Sequence, residues 1–149
     1  MALSMQTILR LMRFYPPYMT SGISVRHFNE DITSITVQMK MHRWNKNYVG
    51  THFGGSLYSM CDPWYMFILI HYFGPKYIIW DKSAHINFVS PGKGTVTATF
   101  EVSEQRFREI QENIQDGQKY CPVFETQVVD AENKTVAHLS KELYIRKKR

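Results

Sequence analysis

Two hydrophobic periods alternate along the chain, and the switches between them mark its elements. Over residues 35–41 every second residue is apolar: Ile35, Val37, Met39 and Met41 share one face, and Thr36, Gln38 and Lys40 the other. That is the pattern of a half-buried strand. It is expected to be long, starting near Gly22 and broken at residues 29–31. Residues 77–89 alternate again, with Ala84, Ile86 and Phe88 opposite His85 and Asn87. Val96, Ala98, Phe100 and Val102 follow after a tight turn made by Pro91, Gly92, Lys93 and Gly94. Two last strands are predicted over residues 123–129 and 135–145, joined by a turn at residues 130–134.

Helical spacing appears in three places. Leu3, Ile8, Leu9, Leu11, Met12 and Phe14 form an opening amphipathic helix, which must stop before Pro16 and Pro17. Residues 54–73 are apolar on nearly all faces, interrupted by Pro63 and ended by Gly74 and Pro75. Such a segment is a buried helix. A third helix starts at the N-cap Ser103, carries Glu104 in its first turn, turns Phe107, Ile110 and Ile114 inward, and ends at Gly117. Only one connection carries a core-type helix, so repeated parallel βαβ units do not fit. The prediction is a single α+β domain over residues 1–149: a long central helix wrapped by a twisted antiparallel sheet, with an N-terminal helix and an inserted surface helix.

Composition narrows the class of function. A chain of 149 residues with 44% hydrophobic and 14% aromatic residues holds one proper core. Its net charge is +5, but four basic residues form the tail Arg146, Lys147, Lys148, Arg149, and removing them leaves +1. No stripe of interleaved basic and aromatic residues is present, so a nucleic-acid partner is not expected. The apolar run at residues 65–73 is too short to span a bilayer. The first 29 residues hold no acid and three arginines, Arg10, Arg13 and Arg26. A transit peptide is conceivable there, whereas Arg10 and Arg13 interrupt the apolar run and exclude a secretory signal; an amphipathic helix packed on the domain is the favoured reading. Cys61 and Cys121 form no Cys-x-x-Cys pair, and no histidine pair has ligand spacing. Neither a metal nor a cofactor is expected, and the cysteine usage fits a cytoplasmic setting.

The chemistry-bearing stretch is Asn45-Lys46-Asn47-Tyr48-Val49-Gly50-Thr51-His52-Phe53-Gly54-Gly55-Ser56-Leu57-Tyr58-Ser59-Met60-Cys61-Asp62-Pro63. Two glycines open a helix, where unpaired N–H groups and a partial positive charge are presented to whatever approaches. Gly54, Gly55 and Ser56 therefore offer backbone donors to a carbonyl that becomes an oxyanion. Asp62 follows Gly55 by seven residues, about two helical turns. A carboxylate in so apolar a helix is costly unless paired or used, and it suits a nucleophile or a base that activates water. Structural alternatives stand beside each assignment. Asp62-Pro63 also fits a helix cap or a kink between two helical pieces. The glycines also suit close packing, and Asn47 also suits a turn. Cys61 has no basic neighbour in sequence and reads as a core thiol.

This stretch resembles the hotdog superfamily, whose thioesterases carry an Asn…Gly…His-Gly-Gly…Asp pattern at the start of the central helix. Asn47, Gly54, Gly55 and Asp62 match it. The likeness is narrower to a bacterial hotdog family of unassigned function, sharing Asn-x-Asn-Tyr-Val-Gly-Thr-His-Phe-Gly-Gly-Ser-Leu-Tyr and a following Asp-Pro. It continues through Trp80-Asp81-Lys82-Ser83-Ala84 and Pro91-Gly92-Lys93-Gly94. The resemblance implies hydrolysis of an acyl-CoA or acyl-carrier-protein thioester between the subunits of a homodimer or homotetramer. Asp62 of one protomer would face Gly55 of the other, with Asn47 orienting the site. Gly54, Ser56, His52, Phe53 and Tyr58 would bind substrate, and CoA would enter only as part of that substrate. Phe53 stands where thioesterases of the phenylacetate-degradation type carry histidine before Gly-Gly. That departure keeps open a non-catalytic acyl-binding module on the same fold. A hotdog dehydratase or hydratase would have only His52 as its local acid–base candidate.

Overall fold

The computed structural model of the protein describes residues 3–148; Arg149 of the basic tail lies outside them. The opening helix α1, Met5–Leu11, is capped by Ser4, whose Oγ accepts from the Thr7 N–H. A 3-10 turn, Met12–Phe14, leads to Tyr15, where the helix stops as the prolines require. The two prolines then begin a second helix, α2, Pro16–Ser21, which the hydrophobic pattern did not predict. Proline suits the first helical turn because its missing N–H has no partner there anyway. Gly22 ends α2 at φ +75°.

The strand predicted to run long from Gly22 is a hairpin. Strand β1, Ile23–Phe28, pairs antiparallel with β2, Ser34–Lys40. Asn29 makes the reversal: its Oδ1 accepts from the N–H groups of Thr33 and Ser34. The chain next forms α3, Gly54–Ser59, and α4, Trp64–Phe73. Four strands and a helix complete it: β3 Tyr77–Phe88, β4 Thr95–Glu101, α5 Glu104–Asn113, then β6 Val123–Val129 and β7 Thr135–Lys147, with the two-residue β5 Lys119–Tyr120 between α5 and β6. All pairings are antiparallel, in the order β1-β2-β4-β6-β7-β3, with β5 on β7.

Register explains the core. Ile35, Val37 and Met39 of β2 lie opposite Phe100, Ala98 and Val96 of β4, and all six are buried. On this inner face rests α4, packed against β3 and β4. Trp64, Ile68 and Leu69 are fully enclosed, with the Trp64 ring edge-on to Phe67 and tilted against Phe100. Tyr65 stacks on Phe124 at 4.7 Å and satisfies its hydroxyl at the Glu125 carbonyl. Surface helix α5 covers another part of the core with Phe107, Ile110 and, just past its end, Ile114.

Two departures from expectation position the site. The central helical stretch is broken at residues 60–63, because Pro63 has no N–H to donate and disfavours helical geometry at Asp62. Cys61 and Asp62 close tight turns onto Tyr58 and Ser59 instead. Strand β3 lies at the sheet edge, and beyond Lys82 its predicted inner face is mostly open, with Ala84 and Phe88 exposed. Ile86 between them is half-buried against the core, so this row is only partly covered by the described residues.

Candidate active site

The break between α3 and α4 turns the Asp62 carboxylate out of the core and onto the wall of a cleft of about 470 Å³. Met12, Tyr15 and Tyr18 from the N-terminal helices form one side, Tyr58 and Phe67 the other. The Tyr18 hydroxyl donates to the Ser59 carbonyl at 2.9 Å and fastens α2 to α3. Asp62 does not cap α4: that helix has no side-chain cap hydrogen bond. Its carboxylate meets Tyr58 and a residue the sequence reading missed, Lys141.

Lys141 is fully buried on β7. Its Nζ stands 3.1 Å from Asp62 Oδ1 and 2.9 Å from Asp81 Oδ2, and donates to the Asp62 carbonyl as well. Two of its donors thus go to Asp62, and Asp81 is its second ion-pair partner. The Tyr58 hydroxyl, one helical turn before Asp62, donates to the same Oδ1 at 3.1 Å. Oδ1 is thus held twice. Oδ2 takes no hydrogen bond among the described residues, and the Asp62 side chain is 48% exposed.

The surroundings are tuned by burial. Desolvation first, then the Asp62 charge, push the Tyr58 phenol up to about 12, so it stays a donor. Burial pushes the Cys61 thiol up to about 12 against the opposing pull of Lys141, which leaves an inert core thiol. Asp81 is raised above the ordinary carboxylate range by burial, with Lys141 countering; its Oδ1 is buried without a partner.

The other predicted site residues fall elsewhere. Asn47 is absorbed in its loop: its Oδ1 accepts from the Val49 and Thr51 N–H groups, and its Nδ2 donates to Thr51 Oγ1 and the His52 carbonyl. His52 is buried, its Nε2 bonded to the Gly94 carbonyl at 2.9 Å and its Nδ1 unpartnered. Burial lowers its pKa. Asn47, His52 and Gly54 line a second cleft with Phe88 and Leu57. Phe53 and Ser56 line a third, beside Trp44 and Thr20. The N–H groups of Gly54 and Gly55 meet no acceptor among the described residues, whereas that of Ser56 is taken by the Phe53 carbonyl. Ser56 is therefore no free backbone donor, a correction to the three-donor expectation. Within one chain Asp62 joins Tyr58, but Asp62 and Gly54 line different clefts. Among the described residues no three His, Cys, Asp or Glu side chains stand together to hold a metal ion. No described helix is long and apolar enough to cross a membrane.

Parity was the signal for Lys141. In β7 the buried positions include Leu139, Lys141, Leu143 and Ile145, so the lysine sits in an inward row. An inward lysine needs a buried counter-charge.

An antiparallel sheet wrapped on a buried, broken central helix, with an unpaired glycine start and a carboxylate at the break, is the hotdog fold. The chain belongs to the family described as a domain of unknown function (DUF4442), whose model matches residues 5–145. No curated protein matches it. Among solved structures it resembles a Pseudomonas aeruginosa protein of unknown function and probable thioesterase, at TM-score 0.85 and 17% identity, over 99% of each chain. It also resembles a thioesterase of Haemophilus influenzae, at TM-score 0.70 and 13% identity, over 99% of this chain and 93% of that one. The Escherichia coli PaaI protein of the phenylacetic acid degradation operon aligns at TM-score 0.64 and 20% identity, over 99% and 97%. At these identities the likeness concerns the fold.

Proposed function

We propose that the protein hydrolyses acyl thioesters, of CoA or of acyl-carrier protein, in a cytoplasmic setting, with Asp62 as the general base. The observation that carries this is the Asp62 carboxylate: one oxygen is held by Tyr58 and Lys141, and the other takes no hydrogen bond from the described residues on the wall of a largely apolar cleft. In this proposal Oδ2 takes a proton from water as the water oxygen attacks the thioester carbonyl. The free N–H groups of Gly54 and Gly55 receive the developing oxyanion. The C–S bond then breaks, the thiolate takes up the proton, and a carboxylic acid and a thiol leave.

The two halves belong to two protomers. Asp62 and Gly54 line separate clefts within a chain, and β3 leaves an open edge for a second copy. A homodimer or homotetramer joined there would bring Asp62 of one protomer to Gly54 and Gly55 of the next. The thiol-release assay on a panel of acyl-CoAs and acyl-carrier proteins tests the reading. Asp62→Asn preserves shape and should lower turnover by about 10²–10⁴-fold, the usual worth of a positioned base. Wild-type protein silent across the whole panel would remove the hydrolase.

A second reading has its own observation. Phe53, not histidine, precedes the glycines, and its ring packs against Gly55. A non-catalytic acyl-binding module would bind acyl-CoA intact, which calorimetry combined with recovery of uncleaved ligand distinguishes.

A further inference from the structure

We propose that Lys141 is the positioning residue of this cleft: tethered to Asp81, its buried ammonium holds Oδ1 of Asp62 and leaves Oδ2 of that carboxylate facing the cleft. The kinetic part of this rests on the thioesterase reading; the charge arrangement does not.

The geometry points there in three ways. First, Asp62 sits in a helix break, where backbone hydrogen bonding alone holds it loosely. Lys141 and Asp81 stand on β7 and β3, whose long antiparallel pairing is rigid scaffold. By bonding both the carbonyl and the carboxylate of Asp62, the ammonium transfers the rigidity of the sheet to the break. Second, the side-chain exposures are graded: Lys141 0%, Asp81 25%, Asp62 48%. A fully buried cation requires a counter-charge. Asp81 supplies it from the more enclosed side, so the three groups carry one net negative charge, placed at the exposed carboxylate. Third, the β3–β7 register is irregular between Asp81 and Ser83. Such an irregularity re-aims side chains; here Asp81 reaches Lys141 although its direct cross-strand neighbour is Leu143.

The titratable groups around Asp62 are Tyr18 of α2, Tyr58 of α3, Cys61 of the break, Asp81 of β3 and Lys141 of β7, with Tyr15 on the same cleft wall. Burial holds the Tyr18 and Tyr58 phenols and the Cys61 thiol neutral, so the lysine is the partner whose charge acts on both carboxylates.

The test uses the whole 149-residue chain and two readouts. Carboxyl ¹³C NMR titration of Asp81 needs no turnover. Lys141→Met should move its midpoint upward by about one unit or more, because an opposite charge has gone, and Asp62→Asn should move it downward, because a like charge has gone. An Asp81 midpoint unmoved in both variants overturns the proposal. The second readout is the pH profile of thiol release. Lys141→Met should lower kcat at least tenfold with KM little changed, and shift the acid limb to higher pH; Lys141→Arg should restore the wild-type limb. A folded Lys141→Met protein with an unshifted limb shows a merely structural lysine and also overturns it. Should Lys141→Met fail to fold, Asp62→Asn and Lys141→Arg carry the same test, and an unmoved Asp81 midpoint in Asp62→Asn decides against it. A wild type without turnover removes the hydrolase, and the NMR titration still decides the role of Lys141.

Discussion

The ring of Phe53 occupies the space that a side chain on Gly55 would need: a Cβ there would stand 2.5 Å from Phe53 Cε1. Phe53 is itself more than half exposed, so its ring has solvent to swing into. Gly55→Ala should therefore cost the fold only about 1 kcal/mol, the scale of an ordinary point substitution. It should cost turnover far more, because a displaced ring and a new methyl crowd the free N–H groups. Urea unfolding beside thiol release separates the two effects. Full turnover in a folded Gly55→Ala protein would reduce this glycine to packing.

Gly22 makes the opposite case. At φ +75° it holds a conformation that L side chains rarely adopt, and an added Cβ would come within 2.5 Å of the Lys40 carbonyl, which is backbone and cannot swing away. The same two residues are tied by the Lys40 N–H to the Gly22 carbonyl. Gly22→Ala should destabilise the protein by about 2 kcal/mol or more, since strain at positive φ and a clash add. Chemical denaturation measures it; a loss under half of that would mean the hairpin shifts to absorb the methyl.

Most of the fold is legible in the hydrophobic periods because packing enforces them. Ile35, Val37 and Met39 alternate because each faces Phe100, Ala98 or Val96 across the ladder. Ser103 reads as a cap because its Oγ can accept from the Arg106 N–H, and it does. What stays illegible depends on partners distant in sequence. Periodicity says that position 141 points inward; it does not say that Asp81 and the Asp62 carbonyl wait there. The Gly-Gly motif marks a helix start, yet the local turn that spends the Ser56 N–H on Phe53 appears only in three dimensions. Strand β3 has an apolar row that the pattern assigns to a core, yet among the described residues Ala84 and Phe88 of that row stay exposed and only Ile86 is half-buried.

His52 should give the protein a pH-dependent stability. Its ring is buried and burial lowers its pKa, so the native state resists the proton that the unfolded chain accepts near 6.5. The native state then binds fewer protons, and stability rises with pH through that window. The contribution is fully present above 6.5 and is lost as pH falls through the lowered native value. Unfolding free energies at pH 7.5 and 5.5 should differ more for the wild type than for His52→Gln, which lacks the titrating ring. Equal pH dependence in the two proteins would clear His52 of this role.

The open edge of β3 allows a sharp test of the proposed assembly. An unpaired edge of 12 residues without proline invites another strand. In an antiparallel ladder the N–H groups of neighbouring residues point to opposite sides, so of His85 and Ile86 one faces β7 and the other the open edge. Proline at the first position breaks the β3–β7 ladder and should unfold or strongly weaken the protein. Proline at the second removes only a donor that an incoming strand would use, and an edge strand tolerates it. His85→Pro and Ile86→Pro should thus part company: one unstable, the other folded and shifted by sedimentation from an even-numbered oligomer to the 17.6 kDa monomer. The folded variant should also lose thiol release, since Asp62 would no longer meet the glycines of a second copy. A folded proline variant that keeps the wild-type mass would place the interface away from β3, and a wild type that sediments as a monomer would dismiss the shared site altogether.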